Sequence, residues 1–145
     1  MYVDEAGFSR EAERQYGLAP IGQKVHGTRA SNSRPRTSLL AANINNSLQA
    51  TMLFDGTCDT NVFNTWLKTF LCPILQKRMV VIMDNATFHK SKETVQLIRR
   101  TGAKLLFLPP YSPDFNNIEH DFAVLKRKRS YHPEISLYDL VKMYP

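Results

Sequence analysis

The stretch VVIMDNATFHK, residues 80–90, sets a run of apolar residues directly before an acid and a polar loop. An apolar run without alternation predicts a strand that is buried on both faces, in the centre of a sheet and parallel to a neighbour. The run stops at Asp84, and the polar residues Asn85 and His89 follow. A strand that ends on an acid is a common place for a reaction, and also a common place for a strand simply to end. The choice depends on whether other acids reach the same point.

The segments before this strand predict three adjacent antiparallel strands. TSLLAANIN at 37–45 and LQATMLF at 48–54 are compatible with β-structure, and the residues at 45–47 (NNS) are typical of a hairpin turn. The residues at 2–4 predict the end of a further short strand, which the chain leaves at residues 6–7.

A change of period after residue 59 predicts a helix. Apolar residues recur every four positions in two adjacent rows, which gives this helix a broad buried face. Asp59 or Thr60 would cap its start, and Pro73 would disturb its end. The rows are Val62, Trp66, Phe70 and Ile74, and Phe63, Leu67, Leu71 and Leu75.

The rest of the chain alternates between helix and strand. Ser91 is a suitable cap for a helix over 92–101, with Gly102 just beyond its end. Residues 104–108 predict another strand. A last helix should begin at residue 116 or 117 and run to about residue 129.

This order of elements predicts an α/β fold. Three strands followed by helix, strand, helix, strand and helix give a mixed five-stranded sheet with helices on both faces. The arrangement resembles the ribonuclease H architecture. The 145 residues are expected to form one such domain, 1–145.

Composition narrows the classes of protein further. With 43% hydrophobic and 22% charged residues, the chain has the make-up of a globular protein. Its longest apolar runs are too short to span a bilayer. No basic leader precedes an apolar segment, so we expect a cytoplasmic, nucleoid-associated protein. Cys58 and Cys72 lack the spacing of a zinc site or a disulfide framework.

The formal net charge of +6 and the pI near 9.5 favour a polyanionic partner. The cations concentrate in two blocks, a flexible basic loop at 27–36 and a run at 126–129. Each block alone is more often a solvated surface, whereas two in one small chain favour contact with a phosphate backbone. The candidate nucleic-acid-binding residues are Arg29, Arg34, Arg36, Lys90, Lys126, Arg127, Lys128 and Arg129.

Three acids are able to meet in this topology. Asp4 and Asp84 would lie on neighbouring strands, at the sheet edge where open sheets bind ligands. Two carboxylates there repel each other, and a cation between them removes the repulsion. Glu119 lies in the first turn of the last helix, about 100° from Ile118 and at the margin of the apolar stripe. The geometry permits the three acids to converge without requiring it.

Four segments carry a resemblance to a known family. They are DEAGF at 4–8, YGLAPIGQ at 16–23, DNATFHK at 84–90 and LPPYSPDFNNIEHDFAVLK at 108–126. With these segments in this order, and with 34 residues between Asp84 and Glu119, the chain resembles the catalytic domain of DDE transposases (DDE superfamily endonucleases). The spacing is that of the bacterial insertion-sequence-630 type within the mariner superfamily.

The resemblance implies an activity and a set of site residues. Asp4, Asp84 and Glu119 would be catalytic and would bind two Mg²⁺ or Mn²⁺ ions that assist DNA phosphodiester cleavage and strand transfer. Asn85 and His89 would support these acids without binding the metal ions themselves. The implied partners are transposon-end and target DNA, with a transposase homodimer or a separately encoded helix-turn-helix subunit. The family's N-terminal helix-turn-helix region is expected to be absent from this chain.

Plainer interpretations stand beside these. Asp84 could cap the following helix, Glu119 could stabilise a helix dipole, and His89 could be a turn residue with satisfied hydrogen bonds. For the whole chain, the alternatives are a non-catalytic transposase remnant that binds DNA or a partner, and a host nuclease of the same fold.

Overall fold

A mixed five-stranded sheet organises the chain in the computed structural model, which describes residues 1–9, 20–21, 36–110 and 112–145. The strand order is β3-β2-β1-β4-β5, with β1, β2 and β3 antiparallel and β1, β4 and β5 parallel. The predicted fold class is confirmed. The strands are β1 Tyr2–Ser9, β2 Arg36–Ile44, β3 Ser47–Asp55, β4 Val80–Met83 and β5 Lys104–Phe107.

The antiparallel part of the sheet contains a tight hairpin between β2 and β3. Asn45 and Asn46 have φ angles of 51° and 62°, and asparagine tolerates this left-handed conformation better than most residues do. A two-residue turn of this kind matches the twist of the two strands that it joins. The predicted hairpin is therefore confirmed.

Strand β1 is longer than the sequence predicts. It pairs with β2 from Tyr2 to Ser9, so the prediction that the chain leaves the strand at residues 6–7 is wrong. Ala6 and Phe8 are buried, and the pairing with β2 continues beside them. A partner strand thus prolongs β1 past residues whose local pattern favours a turn.

The helices begin where the capping residues predict. The Asp59 side chain accepts a hydrogen bond from the Val62 N–H, and Ser91 accepts one from the Thr94 N–H. The helix predicted to begin at residue 116 or 117 begins at Ile118, whereas the sequence pattern did not predict the short helix at Leu137–Lys142. The helices are α1 Thr60–Trp66, α2 Lys92–Arg100, α3 Ile118–Tyr131 and α4 Leu137–Lys142.

The buried face of the first helical segment is narrower than predicted. Trp66 is buried, whereas Phe70 in the same predicted row is 38% exposed. The chain continues from α1 into a π-helical turn, Leu67–Leu71, and a 3-10 turn, Cys72–Ile74. A π turn holds more residues than an α turn, so the four-residue rows do not keep to one face.

Side-chain alternation divides the core between the two faces of the sheet. On one face, Val3 and Leu40 belong to the cluster that contains Phe63 and Trp66 of α1. On the other face, Ala6, Phe8, Leu39 and Ala41 pack with Ile118 and Phe122 of α3. Asp4 lies two residues before Ala6 on the same strand, so the two side chains share a face. Asp4 therefore points to the α3 face of the sheet. None of the described helices is long and apolar enough to cross a membrane.

Candidate active site

A cleft opens where β1 and β4 meet the first turn of α3. Val3 pairs with Met83, so the next residues, Asp4 and Asp84, are neighbours across the two strands. Glu119 reaches the same cleft from α3. The cleft has a volume of about 390 Å³, and Asp4, Asp84, Asn85, Ala86, Leu108, Pro109, Pro110, Ser112, Asn116 and Glu119 line it.

Asp4 is the most buried of the three acids, with 8% of its surface exposed. Its Oδ1 accepts a hydrogen bond from the Glu5 N–H at 2.7 Å, and its Oδ2 accepts one from Asn116 Nδ2 at 2.7 Å. Burial raises the pKa of Asp4 to about 7; the Glu5 N–H opposes this rise, and the charges of Asp84 and Glu119 add to it. Asp4 therefore keeps its proton to a much higher pH than a solvated aspartate does, mainly because it is buried.

Asp84 has the opposite electrostatic character. His89 Nδ1 lies 2.5 Å from its Oδ1, and the Ala86 N–H donates to the same oxygen at 3.1 Å. The hydrogen bond from His89 is the main cause of a lowered Asp84 pKa. Because an ionised carboxylate only accepts hydrogen bonds, the His89 Nδ1–H is the donor. Asp84 is thus held as an oriented anion.

His89 lies behind Asp84, away from solvent. Its side chain is fully buried, and its ring centroid lies 4.4 Å from that of Phe63 and 4.3 Å from that of Phe88. The Nε2 atom has no hydrogen-bond partner among the described residues. The aromatic packing limits rotation of the imidazole, so the hydrogen bond to Asp84 keeps a fixed direction.

Glu119 forms the open side of the cleft. It is exposed in the first turn of α3, and its backbone N–H donates to the carbonyl of Asn116 at 3.0 Å. An acid in the first turn also benefits from the helix dipole. Since its side chain is solvated, it can change rotamer at little cost.

Asn116 is a site residue that sequence analysis missed. Its side chain is buried, its Nδ2 donates to Asp4, and its Oδ1 has no partner among the described residues. Its neighbour Asn117 occupies the N-cap position of α3 without a side-chain capping bond, and it is exposed. Two adjacent asparagines look alike as helix caps in the sequence, and only the long-range contact with Asp4 separates them.

The chain matches the family model described as DDE superfamily endonuclease over residues 1–141. It belongs to this family. No curated protein matches the chain at a significant level.

Solved structures with the same architecture include transposases and an integrase. A Mos1 transposase paired-end complex with left transposon end has a TM-score of 0.73 at 19% identity, over 88% of this chain and 41% of that chain. The mariner Mos1 paired end complex with Mg has a TM-score of 0.70 at 19% identity, over 88% and 41%. The catalytic core domain of BIV integrase has a TM-score of 0.55 at 10% identity, over 76% and 72%.

These likenesses show a shared ribonuclease H-like fold. The chain spans about two fifths of the length of the Mos1 chains that it matches. The identities are too low to carry more than the fold, and the insertion-sequence-630 type stays a prediction.

The donor set of this DDE-family cleft fits a divalent cation in its chemistry. Three carboxyl groups surround one space, and Mg²⁺ prefers such hard oxygen ligands. Among the described residues, however, no three His, Cys, Asp or Glu side chains are grouped as a formed metal site. Both oxygens of Asp4 already accept hydrogen bonds, whereas Asp84 Oδ2 has no partner in the described part of the chain. Glu119 lies close enough to contribute to the raised pKa of Asp4.

Among the described residues, the predicted nucleic-acid-binding side chains lie on β2, on α3 and in the turn after β4, and their contact with DNA stays a prediction. Arg29 and Arg34 lie outside the described residues. Successive residues of a helix point about 100° apart, so the block at 126–129 is spread around α3. Lys126 lines a cavity beside the cleft, the Lys128 ammonium lies 5.3 Å from the Tyr144 ring centroid, and the Arg129 guanidinium lies 6.0 Å from that of Phe8. Arg127 and Lys90 are exposed.

Proposed function

We propose that this chain is the catalytic domain of a transposase, which cleaves DNA phosphodiester bonds with Mg²⁺ or Mn²⁺ and carries out strand transfer in DNA transposition. The convergence of Asp4, Asp84 and Glu119 on one cleft, in a chain of the DDE superfamily endonuclease family, carries this proposal. The existence of Mos1 complexes with transposon-end DNA, with Mg and with Mn supports it. The whole of residues 1–145 is proposed to form this one domain, with transposon-end and target DNA as its partners.

Bound Mg²⁺ or Mn²⁺ supplies the activation of water or a DNA 3′-hydroxyl and the stabilisation of the leaving oxygen. The chain supplies three carboxyl groups that are held to different degrees. Asp4 is fixed from both sides by the Glu5 N–H and Asn116, and Asp84 is oriented by His89. Glu119, in the exposed first turn of α3, completes the ligand set.

In this proposal, protonation of the Asp4 carboxyl competes with metal binding. Its pKa is raised to about 7, so near neutral pH a large share of the metal-free protein carries a proton on this carboxyl. Cation binding has to displace that proton, because the protonated oxygen is a poor ligand. Asp4 therefore couples metal binding to pH, and binding should strengthen as the pH rises through 7.

Plasmid nicking tests the proposed function. Supercoiled plasmid is incubated with the parent chain, Asp84→Asn and Asp114→Asn, each with Mn²⁺ and with Mg²⁺. We expect the parent and Asp114→Asn to nick, since Asp114 is exposed outside the acid cleft. Asp84→Asn should fall to background, because a ligand and an anion are lost together.

Equal nicking by the parent and Asp84→Asn would remove the catalytic assignment. Absence of nicking by a folded parent chain with either metal would favour a non-catalytic remnant. A labelled oligonucleotide with a free 3′-hydroxyl distinguishes a transposase from a host nuclease of the same fold. A host nuclease would cut the plasmid without joining the oligonucleotide to it.

A further inference from the structure

A second cavity adjoins the acid cleft along the part of β1 that continues past β4. Tyr2 and Val3 pair with β4, whereas β1 runs on to Ser9. The cavity has a volume of about 400 Å³. Glu119 lines both this cavity and the acid cleft, so the two spaces are neighbours.

Arg36 is held in place at this cavity. Its Nη2 donates to Glu5 Oε1 at 3.0 Å, in an ion pair in which the Glu5 side chain is only 12% exposed. A Cβ atom added to Gly7 would lie 2.0 Å from Arg36 Nε and 2.2 Å from Cζ. The guanidinium therefore lies against the Gly7 backbone, in space that any other residue would fill.

The held guanidinium keeps donors available. The arginine side chain has five N–H donors, and in the described part of the chain the hydrogen bond to Glu5 is the one that the Arg36 guanidinium makes. Half of the Arg36 side chain is exposed. A planar guanidinium with free donors is suited to a phosphate group, which it binds through two parallel hydrogen bonds.

Lys126 supplies a second cation to the same cavity. It lies seven residues after Glu119, which is two turns of α3, so the two side chains leave the helix on the same face. Its ammonium lies 6.0 Å from the Phe8 ring centroid, and the residue is exposed. The cavity thus has an anchored arginine on the β1 side and a lysine on the α3 side.

We propose that this cavity binds a backbone phosphate of the DNA strand, next to the phosphate at the acid cleft. Arg36 and Lys126 contact the phosphate, and Glu5 and Gly7 position Arg36 for it. The inference rests on the proposed function, because DNA is the substrate there. Phosphate contacts set the register of a strand without reading its sequence, so this cavity aligns the strand with the three acids.

Gly7→Ala is the key variant because it changes no charge. The added methyl group would collide with the far end of a flexible side chain, not with backbone. The fold should therefore persist while the Arg36 guanidinium is displaced. Circular dichroism melts of Gly7→Ala and Arg36→Gln verify that both variants fold.

Binding is measured in EDTA by fluorescence anisotropy, with a fluorescein-labelled DNA duplex of arbitrary sequence between about 50 and 200 mM salt. We expect Arg36→Gln to weaken binding about tenfold at low salt. The slope of log K against log salt should become shallower by about one. Gly7→Ala should produce the same changes, and the double variant should bind no more weakly than Arg36→Gln alone, because both act on one contact.

Arg100→Gln is the charge-matched control, since Arg100 is exposed on α2 and lines neither cavity. We expect it to weaken binding less than about twofold. Parent-like binding by Gly7→Ala, or fully additive losses in the double variant, would overturn the positioning of Arg36. A loss by Arg100→Gln equal to that of Arg36→Gln would overturn the phosphate site. Nicking tests the proposed function separately, so either idea can fail while the other holds.

Discussion

Asp4 and Asp121 are two buried aspartates that differ in their surroundings. They are 8% and 9% exposed. Asp121 accepts hydrogen bonds from Asn43 Nδ2 and, at 2.7 Å, from the Tyr144 hydroxyl. Asp4 likewise accepts two hydrogen bonds, one at each oxygen. The number of donors is the same, but Asp4 alone of the two shares a cleft with two further acids.

The difference separates a structural carboxyl from a candidate functional one. Asp121 connects α3 to β2 and to the C-terminal segment, and burial together with the hydrogen bond to Asp121 raises the pKa of Tyr144 to about 12. The Leu48 N–H also donates to the Pro145 carbonyl at 2.9 Å. These contacts stabilise the fold without any ligand. At Asp4, burial and then the charges of the two neighbouring acids raise the pKa of the carboxyl, which is expected of a site that binds a cation.

The largest effect expected is on the pH dependence of stability. Because the Asp4 pKa is raised from 3.8 to about 7, the folded chain keeps a proton that the unfolded chain releases. The free energy of unfolding should therefore fall as the pH rises from about 4 to 7, by at most about 4 kcal/mol from this group. Urea denaturation in EDTA across this range should show the fall in the parent and in Asp121→Asn, and a much smaller fall in Asp4→Asn.

If the free energy of unfolding changed with pH in the same way for the parent and for Asp4→Asn, Asp4 would not be the source of the pH dependence. A flat curve for Asp121→Asn would likewise break the distinction between the two carboxyls, because it would give Asp121 the electrostatic role assigned to Asp4.

A smaller effect should come from Asp121 itself. Asn43 and Tyr144 donate to different oxygens of Asp121, and Asp121→Asn replaces one of these oxygens by an NH₂ group, which accepts no hydrogen bond. One buried donor loses its partner, which should lower the free energy of unfolding by about 2 kcal/mol at pH 7. Asp114→Asn, at an exposed position, is the matched control in urea denaturation and should change little. Tyr144→Phe in the Asp121→Asn background should recover part of the loss, and failure to do so would mean that the hydroxyl is not the unpaired donor.

The smallest effect expected is stabilisation by metal. If the acid cleft binds Mg²⁺ with a dissociation constant near ~1 mM, about 10 mM Mg²⁺ should add about 1.4 kcal/mol to the free energy of unfolding. Asp121→Asn should gain as much as the parent, despite its lower starting stability. Asp84→Asn should gain much less, because a ligand is removed. Thermal melts at constant ionic strength, with and without Mg²⁺, measure all three.

The same thermal melts with and without Mg²⁺ test the role of Asn116. Asn116→Ala removes the donor that fixes Asp4 Oδ2, so its gain from Mg²⁺ should also be smaller than that of the parent. Asn117→Ala is the adjacent control and should behave as the parent does, since Asn117 makes no side-chain capping bond. Equal gains by Asn116→Ala and the parent would reduce Asn116 to a packing residue.

Local sequence signals predicted the elements well where neighbours in the chain decide the structure. The caps at Asp59 and Ser91 and the hairpin turn at 45–47 depend on residues a few positions apart, and all three are confirmed. The order of elements also predicted that Asp4 and Asp84 would lie on adjacent strands, which the β1–β4 pairing confirms. Their catalytic role stays a prediction.

Features that a short segment does not reveal were wrong or missed. β1 extends to Ser9 because β2 pairs beside it. The buried face of the segment after residue 59 narrows because a π turn intervenes. Neither the contact of Asn116 with Asp4 nor that of Arg36 with Gly7 has a local signal, since 112 and 29 positions separate the partners.

By itself, the sequence determined the α/β order of elements, the helix caps and the resemblance that joined Asp4, Asp84 and Glu119 into one set. Hydrophobic period, capping and motif spacing are properties of short segments, and they do not need the rest of the fold. The tertiary structure decided which carboxyl has a raised pKa, which one a histidine orients, and which asparagine supports the site. Desolvation and hydrogen-bond direction cause these differences, and both exist only after β1, β4 and α3 have packed around one cleft.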